Sequence, residues 1–166
     1  MTPGLVPLCK KSREIVGHYK HGPKAQERLS CCRKKMYKQP LHVQDYETRW
    51  NSELSMLSRL LELRDAITMN LASEDGHLDG FSASEWRQMG GYVAALKQLE
   101  EATTAVGAHH YPTLSAQVPL LYILYMHLDK TNWQREASVF AANLAKCLKT
   151  RFPDYKFDHV EPAAMF

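Results

Sequence analysis

Long apolar runs are scarce in this 166-residue chain: the longest, LLYILYMHL at 120–128, falls well short of the roughly 20 residues that a membrane-spanning helix needs. No membrane partner is expected. The N-terminus, MTPGLVPLCKKSRE, lacks the ordered basic region, apolar core and small-residue cleavage site of a secretory signal, so an intracellular protein is expected. Cysteine is sparse as well. Cys9, Cys31, Cys32 and Cys147 fall short of a disulfide scaffold, and the adjacent Cys31 and Cys32 pair poorly with each other, which leaves reduced thiols as the expected state. No glycine-rich phosphate loop, Gly-x-Ser-x-Gly elbow or His-Glu-x-x-His pair occurs.

Acidic residues are missing from one end. Residues 1–44 hold ten of the 21 Lys and Arg but only Glu14 and Glu27 of the 18 acids, so the N-terminal quarter is strongly basic although the whole chain carries only +3. RKK at 33–35 is its densest point. Such a cluster follows a phosphate backbone or serves as a nuclear address, and a solvated helix face is the alternative use of the same residues. Arg33, Lys34, Lys35 and Lys38 are the candidate contacts.

What is abundant is helical spacing of apolar residues, in a chain that is 45% hydrophobic and 23% charged. A first pattern runs from Ser12, a candidate N-cap, through Ile15, Val16, Tyr19, Ala25 and Leu29, with HGP at 21–23 predicting a kink or a break into two helices. Residues 41–46 alternate as a short strand does. Leu54, Leu57, Leu60, Leu61 and Ile67 then predict a helix from 51 to about 71, which SEDGHLDG at 73–80 ends. Ser82 with Glu85 forms a capping box before Trp86, Met89, Val93, Leu96, Leu99 and Val106, with Gly107 as the stop. A fourth helix from Thr113 to about Lys130 contains Pro119, and a fifth from about Asn132 to Arg151 sets Trp133, Ala137, Phe140, Leu144 and Leu148 on one face before Pro153.

One strand among so many helices is a physical difficulty, because its backbone N–H and C=O groups lack partners on both edges. Either its sheet lies elsewhere or residues 41–46 are an extended connector. SREIVGHYKHGPKAQERL, LHVQDYETRWNSELSMLSRLLELRDAI, FSASEWRQMGGYVAALKQLEEATTAV, YPTLSAQVPLLYILYMHL and LAKCLKTRFPDY resemble, in that order, the middle of hAT-superfamily transposases, and above all the zinc finger BED domain-containing proteins derived from them. The resemblance covers roughly residues 12–156, and TRWNS preceded by Gln-Asp is its most specific part.

That resemblance implies an RNase H-like sheet interrupted by an all-helical insertion. The expected fold is therefore mainly α: the helical insertion of an RNase H-like (hAT transposase) fold with one or few strands from an incomplete α/β sheet. Residues 1–50 would be a basic segment with part of the RNase H-like portion, 51–156 the insertion-like helical domain and 157–166 a tail. The Arg-Trp pair of the family falls on Arg49 and Trp50, where a role beside DNA, with the indole face stacked on a base, is implied. A core Trp50 with Arg49 as its ion-pair partner is the other reading.

The three metal-holding carboxylates of active relatives are not carried over: Asp45 and Glu47 match the approach to the Arg-Trp pair instead. No catalytic residue is therefore assigned and the chain is expected not to be an enzyme. No cofactor and no metal are expected either. His18, His21, Cys31 and Cys32 are two histidines and two thiols, but adjacent cysteines reach one tetrahedral ion poorly, and His109 and His110 sit in a turn far from any cysteine. The function expected is that of a non-catalytic piece of a transposase-derived nuclear protein, associated with DNA through its basic quarter and with a protein partner or dimer in view. The alternative is a helical protein-interaction module that binds no nucleic acid.

Overall fold

The computed structural model describes residues 4–34, 50–73, 78–108, 114–129, 133 and 135–153. Among them are seven helices and no strand: α1 (Leu5–His21), α2 (Pro23–Lys34), α3 (Trp50–Glu62), α4 (Arg64–Ser73), α5 (Ala83–Ala108), α6 (Leu114–Leu128) and α7 (Arg135–Arg151). The fold is mainly helical, as the spacing predicts. The strand expected at 41–46 and the tail at 157–166 lie outside the described residues. The chain divides into two compact units, Met1–Val93 and Ala94–Phe166.

In the first unit the break predicted at HGP is real. The Gly22 N–H donates to the His18 carbonyl at 2.9 Å, and the Gly22 carbonyl accepts the Gln26 N–H at 2.9 Å, so one residue closes α1 and opens α2. A Cβ on Gly22 would lie 2.8 Å from the His18 oxygen and 3.3 Å from the Ala25 Cβ; the close approach needs glycine. Pro23 follows at the first position of α2, where its missing N–H costs nothing.

Ser12 is not a cap. α1 begins seven residues earlier, at Leu5, and Ser12 lies inside it with its hydroxyl buried and unbonded. Pro7 sits in the first turn, where backbone N–H groups have no intrahelical partner to lose, so it does not prevent the early start. Leu8, Cys9, Ser12, Ile15 and Tyr19 form the buried stripe of α1. The single helix expected over 51–71 is two, α3 and α4, with Leu63 as a turn between them. Hydrogen bonds from Leu63 N–H to Arg59 O (3.2 Å) and from Ile67 N–H to Leu63 O (2.9 Å) bridge that turn.

α1 packs on α2 and α3, α2 packs on α4, and α3 packs on α4. Ile15, Met56, Leu57 and Met89 are fully enclosed. Each such side chain contributes about 1.5–3 kcal/mol by leaving water. A polar link runs through this interior, where the Tyr19 hydroxyl donates to Asn70 Oδ1 at 3.3 Å and ties α1 to α4.

The second unit holds the remainder of α5 with α6 and α7, of which α6 and α7 pack together. α7 opens at Arg135, slightly later than its pattern predicts. Its buried ridge is Ala137, Ala141 and Ala145, spaced four apart, with Phe140 beside them; Leu144 and Leu148 are only half-buried. The Trp133 indole N–H donates to the Leu128 carbonyl at 3.0 Å, and its ring meets His127 edge-on at 5.1 Å, which fastens the end of α6. No described helix is long and apolar enough to cross a membrane.

Candidate nucleic-acid interface

The basic quarter sorts into cations that are used inside the fold and cations that face out. Lys11 lies on α1, its ammonium 2.9 Å from both Glu85 oxygens and 3.1 Å from the Gly80 carbonyl. Arg13 pairs with Glu53 of α3. These two hold α1 to its neighbours. Lys10, Lys20, His21, Lys24 and Arg28 are exposed.

α2 shows why. Ala25 and Leu29, four apart, are its buried side, so Lys24 and Arg28, also four apart, fall on the outer side with Cys31 one turn further. Four residues rise about 6 Å along a helix axis, so the two cations form a short outward row. Glu27 is the one exposed acid of α2. The i, i+4 spacing of Lys24 and Arg28 against Ala25 and Leu29 is legible in the sequence, separate from the dense cluster at 33–35.

Of the candidate contacts, Arg33 and Lys34 occupy the last turn of α2, and Trp50 is the first residue of α3. Lys35, Lys38 and Arg49 lie outside the described residues. Among the described residues no group of histidines, cysteines and carboxylates is placed to hold a metal ion. Cys9, Cys31 and Cys147 are in no disulfide; Cys9 is buried, and Cys31 and Cys147 are exposed.

The electrostatics on the inner side centre on Glu85. Burial alone would raise its carboxyl pKa, but the Ser82 backbone N–H at 2.7 Å, the Lys11 ammonium and the Ser82 hydroxyl together outweigh that and hold it below the ordinary value. The Glu85 N–H in turn donates to the Ser82 hydroxyl at 3.2 Å, which completes the predicted capping box. Lys11 also stands 5.4 Å from the centre of the Phe81 ring, Phe81 packs on Trp86 at 4.7 Å, and the Arg64 guanidinium lies 5.7 Å from the Trp86 ring. Two cations thus bracket an aromatic pair at the start of α5, a contribution of order 0.5–1 kcal/mol for each partly exposed cation.

The family model of the ZBED1 RNase-like helical domain matches residues 5–94, more than half of the chain. This chain belongs to that family. The matched segment runs from the first residue of α1 to one residue beyond the first compact unit, so the ZBED1 RNase-like helical domain and that unit are nearly the same stretch. The chain is also similar to zinc finger BED domain-containing protein 4 of Homo sapiens, 31% identical over 126 residues. That alignment takes in 75% of this chain and 10% of the relative, so the chain spans about a tenth of the length of the curated relative it matches. No solved structure matches. The protein is of the BED type derived from hAT transposases, as TRWNS and its flanking helices imply.

Proposed function

We propose that this chain is a non-catalytic part of a BED-type, hAT-derived nuclear protein and that its first unit rests on DNA through the outward cations of α1 and α2. The observation that carries the reading is the sorting of charge. Lys11 and Arg13 are engaged by Glu85 and Glu53, whereas Lys20 and Lys24 face solvent in the same short stretch of chain that carries Arg28, Arg33 and Lys34. Cations kept at the surface in one short segment neutralise phosphates and release counterions, without reading base sequence. Arg49 and Trp50 follow Lys34 by 15 and 16 residues and are proposed to add a stacking contact to an unpaired base.

The test is binding to a random-sequence duplex across a series of salt concentrations. Affinity is expected to fall linearly on logarithmic axes, with the slope shrinking by about 0.9 for each phosphate contact removed. Replacing Arg33, Lys34 and Lys35 by Ala, and separately Lys20, Lys24 and Arg28 by Ala, is expected to lower both affinity and slope. Unchanged retention on DNA in both variants would reject the proposal. Nicking or joining of the duplex by the pure chain with magnesium or manganese would reject the non-catalytic part.

A second reading has its own support. α6 is apolar round most of its circumference, and Ile123 and Met126 on it, with Val139 on α7, remain exposed. An apolar surface of this kind suits a protein partner. Under that reading the second unit is a helical interaction module, whether or not the first unit touches DNA.

A further inference from the structure

We propose that the cleft lined by α5, α6 and α7 is a docking groove for an amphipathic helix that carries leucine-type anchors and a carboxylate placed to meet Arg151. The proposal specifies the partner of the interaction-module reading and rests on it. It involves no nucleic acid, so loss of DNA binding leaves it standing.

The groove follows from the alanine ridge of α7. With Ala137, Ala141 and Ala145 as the buried ridge, Leu144 and Leu148 are displaced to its flank and stay half-buried. There they join Leu99 of α5, Leu124 and Leu128 of α6, and Phe152 around a cleft of about 200 Å³. Its wall is almost wholly apolar. A volume of that order takes one or two branched side chains, which is how one face of a helix enters a groove, through anchors spaced three or four apart.

Charge selects among apolar helices. Among the described residues Arg151 is the one charged member of the lining, one turn beyond Cys147, and both are exposed. The end of α7, NLAKCLKTR at 143–151, holds Lys146, Lys149 and Arg151 and no acid. Cations in a last turn complement the helix dipole, which accounts for the sign at Lys149 and Arg151. Lys149 is engaged over the Tyr125 ring at 4.9 Å, away from the lining, whereas Arg151 stands at the groove. A partner bringing a second cation to that edge meets repulsion, and one bringing a carboxylate gains a charge-assisted hydrogen bond.

Two labelled peptides probe the groove on the full chain. Both are helical with leucines at i, i+3, i+4 and i+7, one with Glu and one with Lys on the edge beside the leucines. Fluorescence anisotropy is expected to show the Glu peptide bound about tenfold more tightly than the Lys peptide. Bound Glu peptide is expected to slow alkylation of Cys147, read by peptide mapping, and to leave Cys31 unchanged. Arg151→Glu, an exposed substitution, is expected to reverse the preference. Equal affinity for the two peptides, absence of binding to either, a preference untouched by Arg151→Glu, or Cys147 still alkylated at its free rate under saturating peptide each overturns the proposal.

Discussion

Lys11 and Glu85, 74 positions apart in sequence, meet at 2.9 Å, and the same carboxylate accepts the Ser82 backbone N–H at 2.7 Å. One side chain thus caps α5 and draws α1 to the loop that precedes it. The capping box is a local feature and the lysine a distant one, so their meeting makes a short-range signal serve a long-range contact.

Glu85 gives the fold an acid-sensitive joint. Its carboxyl is held below the ordinary value of 4.5, so the folded state binds its proton less readily than the unfolded chain does. The resulting stability is fully present above that value and is lost as pH falls through the folded pKa beneath it. Urea midpoints are expected to decline between neutral pH and strong acid, and Glu85→Gln, which keeps a capping acceptor but no charge, is expected to flatten that decline. Ser82→Ala is expected to cost about 1 kcal/mol at neutral pH.

Gly22→Ala tests the joint between α1 and α2. The added Cβ meets the His18 carbonyl oxygen, which is backbone and cannot swing aside. A loss of about 1–3 kcal/mol is expected, against the small gain that Gly→Ala gives where space allows. A rise in melting temperature would show that the joint relaxes freely.

Pro119→Ala should stabilise the chain. Pro119 lies inside α6, where it has no N–H to give to the helical ladder, and relief of a full interior proline is worth up to about 3 kcal/mol. Greater freedom of the unfolded chain returns about 0.4–1 kcal/mol of that. A higher thermal midpoint with more helical circular dichroism is the expected result.

Trp50 separates its two readings by substitution. If the indole stacks on a base, Trp50→Phe keeps most of the affinity for single-stranded DNA and Trp50→Ala loses about 1–3 kcal/mol of it, with the melting temperature little changed. If Trp50 anchors a core, Trp50→Ala lowers stability by about 3–5 kcal/mol and affinity follows folding. Thermal melts and anisotropy on the same samples distinguish the two.

The helices were largely legible because helix-forming spacing, the Ser82–Glu85 box and the HGP break are local. Leu54, Leu57, Leu60 and Ile67 are all buried where the period places them. The failures have physical causes. Ser12 has the chemistry of a cap, but the apolar positions Leu8 and Cys9 before it extend the buried stripe, and packing overrode the local preference. The interior face of α5 follows Trp86, Met89, Tyr92 and Ala95, so Val93 and Leu96 stand only half-buried. On α7 the alanines carry little hydropathic signal, yet they form the ridge and push the leucines outward. The charge asymmetry of the first quarter was legible, but not which lysines the fold consumes: Glu53 and Glu85, the partners of Arg13 and Lys11, lie outside that quarter altogether.

The neighbours Lys10 and Lys11 differ by one position and by nearly everything else. Lys10 projects into water, while the ammonium of Lys11 is gripped by Glu85 and the Gly80 carbonyl. An acetyl-transferring reagent should therefore modify the first amine readily and the second only after the chain opens. The ratio of the two acetylated peptides becomes a gauge of how often α1 leaves its seat.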